Sequence, residues 1–275
     1  MNTSKPGLTK QSRPVRPRAA FFARGGLALC WVAALAVPCA ARADTAPPAP
    51  GEAVVSRPFK LTTGLYSFSG GGLPSGTGLD VNLRHSSDFG NVWLGWFRSP
   101  ALDATQTRAG WDHSIPLGAV LHLTPSLQVA SGGFWGGSAM LEASIAGNWF
   151  AGVGLGRTNL RNYVNLNFDP NDAWMLSAGY RWSDNHALSL QVVRDNRLNP
   201  DQQHVHLVYR TAIADDQRLT LDLLSKTGLV NGGSIHRVGL SVGYDWPRYF
   251  VRAAYDPQVN FTPQDMWRLS VGTRF

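Results

Sequence analysis

From Phe59 to the last residue the chain alternates apolar and polar positions. In the final segment Trp267, Leu269, Val271, Thr273 and Phe275 fall on one face, and Arg268, Ser270, Gly272 and Arg274 on the other. Residues 237–246, 217–223, 203–210 and 173–182 repeat the pattern. Successive strand side chains point to opposite faces, so each segment reads as a β-strand with one apolar face and one polar or tiny face. Helical periodicity is almost absent. Counting back from Phe275 places fourteen strands near 265–275, 247–256, 234–245, 217–227, 203–213, 186–195, 173–183, 148–158, 136–146, 120–131, 104–114, 91–99, 77–86 and 58–67. Pro125 and the Gly-rich stretches 131–137 and 152–156 blur the middle, which leaves twelve strands as the alternative.

A soluble sandwich would bury the apolar faces, whereas a transmembrane barrel would turn them to lipid and its polar faces to a lumen. Three features predict the barrel. Trp174, Trp182, Trp246, Trp267 and Phe275 sit at the ends of apolar faces, where a barrel carries aromatic girdles. The segments have the length that tilted spanning strands need. Disulfides, common in secreted sandwiches, are impossible after residue 39, because Cys30 and Cys39 are the only cysteines. Tight connections alternate with longer ones rich in Gly, Pro, Asn and Asp, such as 159–172 and 257–264. An even strand number puts both termini at the tight-turn end.

Charge changes the picture only at the N-terminus. The net charge is +7, but residues 1–43 hold seven basic residues and no acidic one, leaving 18 of each sign beyond them. The remainder has no electrostatic reason to bind nucleic acid. The basic stretch, the apolar run Leu27–Val37 and the small-residue site Ala41-Arg42-Ala43 compose a cleavable signal peptide over 1–43. Eleven apolar residues fall short of the roughly 20 a membrane helix needs. Pro38 before Cys39 and Leu29 before Cys30 do not suit a lipoprotein signal. Residues 44–57, with three prolines, read as a short extended tail.

Residues 167–182 match 260–275 at nine of sixteen positions, and LSVGYDW recurs at 240–246. The repeat is read as one shared environment: a glycine where the interior is crowded and an aromatic at the interface. An exported chain that ends in alternating apolar residues and a terminal aromatic resembles the Gram-negative outer-membrane barrel proteins. Phe275, Val271, Leu269 and Trp267 match that pattern, and Thr273 departs mildly from it. The resemblance implies an outer-membrane barrel over 58–275, periplasmic termini, outward long loops, contact with outer-membrane lipid and a terminal strand read by the barrel-assembly machinery.

Some barrels of this kind are hydrolases. Outer-membrane phospholipases and lipid A deacylases resemble one another in a His-x-Ser pair, which His85 and Ser87 fit. Ser99 is not the expected orienting group, and the strand count puts His85 at the periplasmic rim facing lipid, so the two are read as interfacial turn residues. His204 and His206 both face the lumen, yet no third metal ligand lies near them in sequence and Arg210 is cationic. They are read as uncoordinated, with no metal and no cofactor implied.

Parity sends Lys60, Arg84, Arg108, Arg181, Arg210, Arg218, Lys226, Arg237, Arg252, Arg268 and Arg274 inward, against Asp80, Asp112, Glu142, Asp195, Asp222 and Asp245. A guanidinium-lined interior attracts anions and holds carboxylates in bidentate fashion. The expected function is a small porin-like channel or solute-binding barrel favouring small anionic solutes. A lipid-modifying hydrolase and a non-conducting structural barrel are the alternatives.

Overall fold

Residues 57–275, apart from 167, 168, 170 and 215, are described by a computed structural model. The signal peptide expected over 1–43 and most of the expected tail lie outside the described residues. The described residues form one antiparallel sheet of fifteen strands closed on itself. They are β1 (Phe59–Ser69), β2 (Gly76–Ser87), β3 (Gly90–Ser99), β4 (Ala104–Asp112) and β5 (Ile115–Pro116). Then come β6 (Leu121–Ala130), β7 (Phe134–Ile145), β8 (Trp149–Thr158), β9 (Ala173–Ser183) and β10 (His186–Asp195). The last are β11 (Gln203–Ala214), β12 (Gln217–Val230), β13 (Gly233–Asp245), β14 (Tyr249–Asp256) and β15 (Asp265–Arg274).

The two-residue β5 is an accessory to β6, so fourteen long strands make the wall. Closure has two seams. β1 pairs with β15 from Lys60↔Arg274 to Ser69↔Asp265, and β4 pairs with β6 from Arg108↔Ala130 to Asp112↔Ser126. Pro125 sits where β6 passes from pairing with β5 to pairing with β4, a break in the ladder that tolerates a residue without an N–H. Twelve strands is therefore excluded. The strand predicted from 247 begins instead at Tyr249. Trp246 N donates to Tyr249 O at 2.8 Å around a turn that holds Pro247.

Which face is inside decides between barrel and sandwich. Leu127 is 60% exposed and Leu94 56%, and the same row continues around the wall through Leu190, Leu240 and Val271. Aliphatic rows packed between two sheets would be covered. These face outward, as a hydrocarbon-facing band does. Ring contacts follow the wall at the end carrying the chain termini: Trp149 meets Tyr180 (5.1 Å), Tyr180 meets Trp182 (5.0 Å) and Trp182 meets His186 (4.5 Å).

The inside is not evenly filled. The β8–β9 connection, 159–172, was expected among the outward loops; its described residues instead turn back into the barrel. Tyr163, Val164, Asn165, Leu166, Asp169, Asn171 and Asp172 are all buried. Its apolar side chains find cover only in the lumen, so burial favours the inward fold over a solvent-facing loop.

Candidate functional site: a divided lumen

The inward segment crosses to the opposite wall. Val164 and Leu166 pack with Tyr66, Phe68, Phe97 and Met266 from β1, β3 and β15, together with Val259. Burying two such aliphatic side chains contributes about 1.5–3 kcal/mol each. Polar wall residues hold the backbone between. Gln106 Nε2 donates to Asn162 O at 3.0 Å, and its Oε1 accepts from Val164 N at 2.6 Å. Tyr163 Oη donates to Gln128 Oε1 at 2.9 Å, and Arg268 Nη1 donates to Leu166 O at 3.0 Å. Arg108, itself paired to Asp80, donates to Val164 O at 3.3 Å. A cleft of about 500 Å³ remains on one side, between Gln106, Ser131 and Arg161.

The far end of the segment meets β11. His204 Nδ1 lies 2.8 Å and His206 Nε2 2.9 Å from the same oxygen of Asp169, and His206 Nδ1 is 3.0 Å from Asp222 Oδ1. Burial disfavours the charge on Asp169, but the adjacent His206, with hydrogen bonds from both imidazoles, holds its carboxyl well below the usual carboxylate range. This acidic partner of the two histidines was not visible from sequence because Asp169 lies 35 residues upstream of His204. Lys226, wholly buried, pairs with Asp256 and donates to Gln258 O at 2.9 Å.

The half of the lumen nearest the termini is built differently. Arg274, Lys60 and Arg84 are direct cross-strand partners over β15, β1 and β2. Arg181 and Arg210 lie at one level, both in register with Ala187 of β10. Several ion pairs to wall acids are looser: Arg84 to Asp112 at 3.3 Å, Arg181 to Glu142 at 3.6 Å, and Arg218 to Asp245 at 3.7 Å. Arg274 reaches Asp245 more closely. The side chains of Arg84 and Arg181 keep 27% and 31% exposure, against 6% for Arg108 in the filled half. This end is rich in cations, open at Arg84 and Arg181 but covered over Arg218 and Arg274, at 13% each.

The sequence repeat has a structural basis here. Phe150 of β8 opposes Gly179 of β9, and Phe250 of β14 opposes Gly272 of β15. A Cβ on Gly179 would lie 2.5 Å from Phe150 Cζ, and one on Gly272 would collide with Phe250. Only a glycine lets those rings lie over the strand. The arginine two residues on covers each ring: Arg181 sits 4.7 Å from the Phe150 centroid, and Arg274 5.3 Å from that of Phe250. In the third copy Gly243 opposes Arg252, which itself lies 5.2 Å over Phe250.

The remaining sequence-predicted residues fall elsewhere. Arg237 is exposed on the part of β13 that extends beyond its ladder with β14, and donates to His236 O at 3.1 Å. His85 packs on Phe59 at 4.7 Å, while Ser87 Oγ donates to Gly90 O at 3.1 Å within the turn. Those contacts engage the two side chains in the rim and the turn rather than with each other. Trp267, Leu269, Val271 and Phe275 form an exposed outward row, and Phe275 exchanges two 3.0 Å backbone hydrogen bonds with Phe59.

The fold is that of a transmembrane β-barrel. No family model and no curated protein sequence matches the chain. Among solved structures it is similar to the NanC porin, at 9% identity and a TM-score of 0.44, over 78% of this chain and 100% of that one. It is similar to the outer membrane protein Omp33 of Acinetobacter baumannii at 12% identity and a TM-score of 0.49, over 80% and 98% of the two chains. The KdgM porin is similar at 10% identity and a TM-score of 0.40, over 78% and 99%.

Proposed function

We propose that the chain is an exported outer-membrane barrel, with periplasmic termini, that passes small anionic solutes through a constricted lumen. The carrying observation is the row Arg274–Lys60–Arg84, three cations in direct cross-strand register. Like charges placed directly opposite destabilise a sheet; Asp112 and Asp245 offset part of that at Arg84 and Arg274, and the cationic excess along the row favours an interior that attracts anions. Arg181, Arg210, Arg218 and Arg252 extend it around the wall, and Arg268 continues it toward the constriction. Guanidinium groups with residual exposure can hold carboxylates or other oxyanions as they pass. The outward row ending in Phe275 suits recognition by the barrel-assembly machinery.

Reversal potential in planar bilayers under a salt gradient tests this. Wild type is expected to favour anions, and Arg84→Glu with Arg210→Glu should move the potential toward cations. Arg237→Glu, out on the extended hairpin, should move it less. Unchanged selectivity in the double variant would remove the anion reading. The packing of Val164 and Leu166 against the opposite wall favours a second reading, a closed non-conducting barrel. Silent bilayers with correctly folded protein would select it.

A further inference from the structure

We infer that Asp169, His204 and His206 form a binding site for a borderline divalent cation, of the zinc class, that staples the lumenal segment to the wall. The inference does not depend on anion passage. One ligand atom from each residue lies within 4.8 Å of the other two. Asp169 and His204 are buried, and the His206 side chain is only 13% exposed.

The position of the His206 ring is the physical reason. Asp222 stands 3.0 and 3.1 Å from Nδ1, through both its oxygens, and Asp169 2.9 Å from Nε2, so one imidazole is held between two carboxylates. Without an ion, a proton on Nε2 bridges the ring to Asp169. A divalent cation takes that place, bound by Nε2 and the Asp169 oxygen, and the proton is released to solvent while Asp222 keeps the one on Nδ1. A metal-ligating imidazole held from behind by a carboxylate is the common second layer of zinc sites.

Charge and space agree with a divalent ion. Lys226 is neutralised by Asp256, so once the Nε2 proton has left, Asp169 and Asp222 bring two negative charges to two neutral imidazoles. Tetrahedral ligands at about 2.0–2.1 Å from zinc lie about 3.4 Å apart, so the two contacts of Asp169 with the histidines, at 2.8 and 2.9 Å, need to open by about half an ångström. A cavity of about 60 Å³ beside His204, His206 and Asp222 has room for a water in the fourth position. Two nitrogens and one oxygen select zinc-class ions over calcium or magnesium, which prefer all-oxygen shells. His204 and His206 belong to β11 and Asp169 to the inward segment, so the ion would cross-link the two.

The full chain, folded in detergent and stripped with EDTA, is titrated with Zn²⁺ by calorimetry. One ion per chain is expected, undisturbed by millimolar Ca²⁺ or Mg²⁺. Asp169→Asn and His206→Gln should abolish that binding event, and Asp222→Asn should weaken it about 10–100-fold. Zn²⁺ should also protect the 159–172 segment from protease in wild type. Stoichiometric binding unaffected by these variants would place the ion elsewhere and overturn the inference, as would no binding at all. Co²⁺ in the wild-type protein gives a readout that needs no variant. Visible d–d bands of a four-coordinate site are expected, and their absence would count against the site even if every variant failed to fold.

Discussion

The two halves of the lumen use the same charged residue types to opposite ends. Toward the long loops, Arg108 with Asp80 and Lys226 with Asp256 are desolvated, closely paired and tied to backbone carbonyls of inward-turned chain. Toward the termini, Arg84 and Arg181 stand partly exposed, at 3.3 and 3.6 Å from their acids. A buried cation without its partner is costly, whereas an exposed one is screened by water. In the filled half the charges hold the inward segment in place, whereas toward the termini Arg84 and Arg181 stay accessible to water. Parity alone makes all of them equally inward. Depth along the barrel separates the desolvated Arg108 and Lys226 pairs from Arg84 and Arg181, which keep contact with water.

Substitutions in each half sharpen that contrast. The largest effect is expected for Asp80→Ala, which strands Arg108 in a dry environment and should cost about 3–5 kcal/mol in denaturant unfolding from micelles. Leu166→Ala should cost about 2–5 kcal/mol, felt locally. Limited proteolysis should show faster cleavage within 159–172, and single-channel conductance should rise while the barrel's unfolding midpoint moves little. Gly272→Ala drives a methyl into Phe250 and should cost about 1–3 kcal/mol by the same unfolding assay. Smallest is Glu142→Ala, at about 0–1 kcal/mol, because its partner Arg181 keeps contact with water and with the Phe150 ring. Equal losses for Asp80→Ala and Glu142→Ala would erase the distinction between the halves.

The repeat shows how far a pattern can be read before the chain is folded. Its glycines were expected where the interior is crowded, and Gly179 and Gly272 are indeed overlaid by Phe150 and Phe250. The phenylalanines themselves lie 29 and 22 residues from those glycines on neighbouring strands (179 minus 150, 272 minus 250), so no local motif announces the pairing. The same holds for His204 and His206, whose acidic partner arrives from another connection. A signal was present: the 159–172 stretch carries Tyr163, Val164 and Leu166, more apolar weight than a solvated loop needs.

Strand identity, their number near fourteen and the outward apolar face were all legible from the two-residue period, because alternation is a local property of extended backbone. Parity also gives an expectation for the sign of the interior, which the selectivity measurement tests. Which residues occupy the lumen beside those charges was settled only on closure. A segment between β8 and β9 gains cover by crossing to β1 and β15, walls that lie roughly a hundred residues away along the chain, as Arg268 and Leu166 do at 102. Contacts of that span arise when the sheet meets itself, and no stretch of sequence carries them alone.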